Sequence, residues 1–260
     1  IEQKALYDQM NLAYTYRDTR WPGNQAAAKT DITTFACPSN PFLERKDPLG
    51  YGRTDYFATV YMDIDPSNGT RNKATRMDGA LAVPPASIGS ILDGTSNTIA
   101  FVEDAGRSAP GARPYPNYSK YQDPTEALGG AIDPADKALT DNGNPNGGSG
   151  PYRSVWRWAD QDAVGSGVSG PPNLAGKYVN NSSTPFGGGT GSCPADNTSG
   201  GACPWTCNNC GLNDEPFAFH PGGCNAVFAD GSVRFLSDTI NYATLRYLVT
   251  RAEGVPSGSF

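Results

Sequence analysis

The sequence predicts an α+β fold. An N-terminal helix packs on an antiparallel β-sheet, long Gly/Asn-rich loops are inserted, and a C-terminal β-hairpin leads into a terminal helix. Three observations lead there. Both ends of the chain carry apolar residues at helical spacing. Between them lie short runs of β-branched and aromatic residues bounded by turn residues. Gly (31) and Pro (22) make up about a fifth of the 260 residues, which favours turns, short strands and loops over a helical protein.

In chain order, Ile1, Ala5, Leu6, Gln9 and Leu12 share one side of a helix, so residues 1–16 read as the end of a helix entering from upstream. "TDITTFACPSNP" reads as a short helix or strand that closes on Cys37 and is halted by Pro38 and Pro41. "TDYFATVYM" is rich in β-formers and reads as a strand. The Asp93-Gly94 turn then feeds a core strand, "NTIAFVED". Residues 105–152 and 165–201 are loop-dominated insertions of a length that is usually functional, and "SVWRWADQD" between them reads as a strand. In "CNAVFADGSVRF", two β-rich runs flank Asp230-Gly231, a strong short-range hairpin signal. A last helix starts at a Ser237/Asp238 cap, turns Ile240, Leu245 and Leu248 to one side, and stops at Gly254. The expected organisation is one domain over 1–260, with residues 219–254 forming the hairpin and its helix.

A net charge of −6 with no basic stripe excludes nucleic acid as a partner. No signal peptide and no apolar run of membrane-spanning length is present. The chain opens on Ile1 inside a helical pattern, so a targeting segment is expected upstream, and any membrane contact is expected through it. Six cysteines, Cys37, Cys193, Cys203, Cys207, Cys210 and Cys224, are an even number that suggests disulfides and an oxidising compartment. Sequons at Asn68, Asn117, Asn180, Asn181 and Asn197 suit the same surroundings.

Four constellations carry chemistry. His220, the only histidine, precedes Gly222, Gly223 and Cys224 and stands ahead of Asp230 and Gly231. A hydrolase would need a nucleophile and an orienting acid beside it. Asp230 suits a turn, however, and no Gly-x-Ser-x-Gly elbow exists, so His220 is read as fastening a loop to the hairpin. Cys203, Cys207 and Cys210, with His220 and Cys224, could supply a four-coordinate zinc site, although oxidising surroundings favour disulfides. Cys37 is expected to tie the front of the domain to this rear cluster. Asp63, Asp65, Ser67 and Asn68 place oxygen atoms at alternate positions, as calcium loops do, but lack the glycine and glutamate of an EF-hand. Trp21, Trp156, Trp158 and Trp205 could line a sugar-binding face or pack a core.

The spacing of His220 to Asp230-Gly231, with "ILDGTSNTIAFVED", "FACPSNP", "WADQD" and "IEQKALYDQMNL" in order, resembles the bacterial H-x9-DG family of pseudopilin-like secreted proteins, a domain of unknown function sometimes labelled solute-binding. The resemblance spans Ile1 to about Gly254. It implies a pilin-like arrangement, an upstream prepilin leader with a hydrophobic helix, and a place outside the cell or on its surface. It raises the expectation of calcium, since major pseudopilins of related secretion systems often hold it. It implies no reaction. The expectation is therefore a non-enzymatic structural subunit that associates with itself in a filament, pseudopilus or surface layer. The alternative is a cell-surface module for glycans or other solutes, and a zinc hydrolase ranks third.

Overall fold

The structure is a computed structural model that describes residues 2–14, 16, 18, 20–40, 50–69, 72–105, 157–159, 167–168, 178–180 and 216–255. Its elements are helices α1 (Lys4–Tyr7) and α2 (Pro22–Ala28), strands β1 (Tyr56–Ala58), β2 (Tyr61–Met62), β3 (Met77–Asp78), β4 (Ile99–Glu103), β5 (Gly223–Phe228) and β6 (Val233–Ser237), and helix α3 (Tyr242–Val249). The fold is mixed helix and antiparallel sheet, as expected. Four strands form one sheet in the order β1-β4-β5-β6, and β2 pairs with β3 separately.

Alternation sets the two faces of the large sheet. Phe57, Val102 and Ala226 stand in register and are buried on the inner face, with Cys224, Phe228 and Leu236. Helix α3 covers that face. Ile240, Leu245, Leu248 and Val249 join the same core as Met62, Ile64, Val168 and Val179. Its N-terminal cap is Asn241, whose side chain accepts the Ala243 N–H at 2.8 Å, rather than Ser237/Asp238. Ser237 instead holds a turn by accepting the Thr239 N–H.

The hairpin is realised with a three-residue loop. The Gly231 N–H reaches the Phe228 carbonyl at 2.9 Å, the Phe228 N–H reaches Ser232 at 2.8 Å, and Gly231 takes φ +85°. This is a tight turn followed by a left-handed residue, which asks for glycine. Asp230 accepts the Ser232 N–H at 2.9 Å.

The N-terminal helix departs from expectation. It is one turn long, because Asn24 on α2 accepts the Asn11 N–H and donates to the Asn11 and Tyr14 carbonyls. Those bonds hold the chain after Tyr7 in turns. Leu6 packs with Ala27, Ile32, Met10, Phe35 and Trp158, a cluster distinct from the sheet core, so α3 and not the N-terminal helix covers the sheet. "TDYFATVYM" breaks into β1 and β2 at Thr59-Val60, whose carbonyls bind Leu81 and Gly79 N–H groups. Among the described residues, no helix is long and apolar enough to cross a membrane.

Candidate functional site

The outer face of the sheet alternates with the core: Tyr56 lies opposite Glu103, and Asn225 opposite Phe235. Glu103 ends an otherwise apolar strand, yet its side chain is only 4% exposed. A buried carboxylate needs donors, and three segments supply them. The Asn225 N–H donates to Oε2 at 2.6 Å, and the Asn225 amide lies 3.2–3.3 Å from both oxygens. His220 Nε2 stands 3.2 Å from Oε1, and the Cys37 thiol 3.5 Å from the same oxygen. Cys37 Sγ is also 3.6 Å from Nε2, across 183 residues of sequence. The Tyr56 hydroxyl is pushed well above its ordinary pKa, first by burial and then by the charges around it.

Each partner is held from behind. Asp55 accepts the Cys37 N–H at 2.7 Å and an Asn40 amide hydrogen at 2.9 Å, which fixes the turn after the Thr33–Phe35 3₁₀ turn. Asn180, at φ +54°, donates to the His220 and Gly223 carbonyls and accepts the Ala218 N–H. The adjacent glycines act differently. Gly222 needs its left-handed φ of +83°, whereas a methyl group on Gly223 would run into the Leu236 carbonyl.

The arrangement disfavours nucleophilic catalysis. A thiol–imidazole relay uses one ring nitrogen for the nucleophile and the other for the orienting acid. Here thiol and carboxylate meet the same Nε2. Burial and the neighbouring Glu103 also push the Cys37 thiol up, away from the reactive thiolate. The three side chains can instead fasten the hairpin entrance to β4 and the Cys37 turn. They can also converge on a cation, since one ligand atom from each lies within 4.8 Å of the others.

The model of a protein family described as a protein of unknown function (DUF1559) matches residues 1–243. The chain belongs to this family. No curated protein and no solved structure matches it. The matched span contains Cys37, Glu103, His220 and Asn225, so the family's extent includes every residue of the cluster.

Of the residues singled out from sequence, Cys37 and His220 come together, and Gly222 and Gly223 shape the approach. Asp230 and Gly231 lie at the opposite end of β5. Ser232, whose N–H donates to the Asp230 carboxyl, holds that carboxyl below its usual range, so it serves the turn. Cys37 and Cys224 are free thiols, which corrects the expected disulfides at these two positions. Cys37 is taken up by Glu103 and His220, and Cys224 is buried in the sheet core, with burial raising its thiol well above the ordinary value. Cys193, Cys203, Cys207 and Cys210, with Trp156 and Trp205, lie outside the described residues.

In the expected calcium loop, Asp63 binds Arg76 through both oxygens at 2.6 and 2.7 Å. Asp65 accepts from Ser67 and Asn72, which lowers its pKa, Ser67 contributing most. The Asn68 N–H closes this turn on the Asp65 carbonyl. A calcium ion would have to displace Arg76, so the geometry favours an Asx turn. Trp158 packs in the Leu6 cluster and donates to the Thr30 carbonyl at 2.9 Å.

Sequence reasoning does not reach Glu103 and Asn180 as site residues. The one signal for Glu103 is an acid closing an apolar strand. Asn180 stands out only as a sequon, and the nitrogen a glycan would use is bonded to two carbonyls.

Proposed function

We propose that this chain is a non-catalytic structural subunit of an extracellular assembly, a filament, pseudopilus or surface layer, with a pilin-like arrangement and copies of itself as partners. One observation carries the reading: an apolar row on the outer sheet face. Phe101, Val227 and Val233 stand in register across β4, β5 and β6, with Phe235 beside them on β6. Val233 is 63% exposed, Phe235 48% and Phe101 44%. Exposed apolar patches mark interfaces. Strand β6 is also a sheet edge, and among the described residues no strand pairs with its free side. An edge of this kind is a template for a second copy. The family resemblance in the motifs adds the expectation of secretion and of an upstream helix that organises the assembly.

Sedimentation velocity and electron microscopy of the purified chain test this. Association rising with concentration is expected. Val233→Lys with Phe235→Lys should abolish it while leaving stability within about 0.5 kcal/mol, the usual range for surface changes. A chain that stays monomeric up to its solubility limit contradicts a sheet-face interface.

A second reading, a glycan-binding module, is favoured by the parallel Tyr14 and Trp21 rings at 6.1 Å and the exposure of Trp21. Quenching of tryptophan fluorescence by cell-envelope polysaccharide, lost in Trp21→Ala, would support it over the first.

A further inference from the structure

We propose that Cys37, Glu103 and His220 form a zinc site that locks the entrance of the β5–β6 hairpin to strand β4 and to the turn after Phe35. Three features of the cluster support it.

The first is the shape of the triangle. Tetrahedral zinc with bonds of about 2.3 Å to sulfur, about 2.05 Å to nitrogen and about 2.1 Å to oxygen separates S from N by about 3.6 Å, S from O by about 3.6 Å and N from O by about 3.4 Å. The corresponding distances are 3.6, 3.5 and 3.2 Å. Each observed side lies within about 0.2 Å of the tetrahedral value.

The second is the hydrogen-bond count at His220. Nε2 has a carboxylate oxygen, a thiol and an amide nitrogen within 3.6 Å. A single ring nitrogen either carries a proton or offers a lone pair. As a donor it satisfies Glu103 but turns N–H toward the Asn225 amide hydrogens. As an acceptor it faces the Glu103 carboxylate. A cation at the centre uses the lone pair and satisfies the carboxylate and the sulfur together. The side-chain amide of Asn225 stands 3.3 Å from Nε2. The same nitrogen donates to both Glu103 oxygens, at 3.3 and 3.2 Å, so this amide braces the carboxylate and is not itself a ligand.

The third is charge and ligand type. A thiolate and a carboxylate balance a divalent cation, with neutral imidazole completing the set, so the loaded site is uncharged where it is buried. Among the described residues, the only basic side chain paired with Glu103 is His220. One soft sulfur, one imidazole and one carboxylate suit zinc rather than calcium, which takes oxygen alone. On binding, the Cys37 thiol gives its proton to solvent.

The site joins the end of β4 to two turns beside the sheet, and the inference does not rest on self-association. The test uses the full chain, reduced and freed of metal by chelation, with its folded state verified by circular dichroism. Cobalt(II) is titrated as the probe and zinc is then added to compete. The expected result is one equivalent that gives a thiolate-to-cobalt charge-transfer band with tetrahedral visible bands, both bleached by zinc. Cys37→Ser and Glu103→Gln each lower the bound metal by one equivalent, and Cys37→Ser removes the charge-transfer band. Cys203→Ser leaves this equivalent in place. Two results overturn the proposal. In one, the folded wild-type chain binds neither metal. In the other, binding is lost in Cys203→Ser and kept in Glu103→Gln, which assigns the metal to the cysteine-rich segment. Both are read on chains that fold, and if one variant collapses the remaining variants still decide.

Discussion

Arg246→Ala is expected to lower the free energy of unfolding by about 3–5 kcal/mol, the cost of breaking a buried charge pair from one side. Arg246 sits inside α3 with its side chain 3% exposed. Its Nε donates to Glu253 at 2.7 Å, and its terminal nitrogens reach the Ile64 carbonyl at 2.6 Å and the Thr75 carbonyl at 2.7 Å. One guanidinium thus ties the covering helix to both sides of the Asp63–Asn72 turn and to the C-terminal segment. That segment is held a second time by Asp93, which accepts the Glu253 and Gly254 N–H groups at 2.7 Å each. Truncation leaves two carbonyls and the Glu253 carboxylate short of partners. Against a total stability of about 5–15 kcal/mol, the loss is large. Urea denaturation followed by tryptophan fluorescence measures it. A cost under about 1 kcal/mol would mean that water replaces the guanidinium freely and that the site is not sealed.

Gly223→Ala is expected to cost about 3 kcal/mol, the upper end of the overpacking range. The added methyl meets the Leu236 carbonyl and the Phe235 ring across the β5–β6 ladder, and a paired backbone cannot step aside as a side chain does. The displacement falls next to Cys224 and three residues from His220, so it also loosens the cluster at Glu103. Gly222→Ala is the control. Nothing lies within 4 Å of its added methyl, and only the φ of +83° resists, worth about 1–2 kcal/mol. The adjacent substitutions separate room from conformation, and denaturation midpoints with equal losses would refute the distinction.

What the sequence reveals is local. The Asp230-Gly231 turn, the paired runs around it and the apolar side of α3 are patterns of a few residues, and all three appear in the fold. Helix α2 is not marked in the sequence reading, yet Pro22 opens it, where its missing N–H costs nothing. The opening segment shows the converse failure: helical spacing over residues 1–16 yields one turn, because Asn24 captures the backbone beyond it. The cluster is half legible. His220 and Cys37 attract notice as residue types. Glu103 does not, because its partners lie 66 and 117 residues away and only sheet registry brings them together. Asn180 shapes the His220 turn from a position that composition marks only as a sequon.

Alkylation of Cys37 tests most directly the proposal that the His220 motif fastens the fold and performs no bond-making chemistry. The chelated, reduced chain is treated with iodoacetamide near neutral pH, and the Cys37 peptide is followed by mass spectrometry, with the urea-unfolded chain as reference. Burial and Glu103 raise the Cys37 pKa, so its thiolate becomes scarcer in the native state than in the unfolded one at the same pH. The predicted result is labelling far slower than in urea and accelerated by Glu103→Gln, which removes the neighbouring negative charge. Native labelling faster than the unfolded reference would reveal an activated thiolate beside His220 and contradict the structural reading.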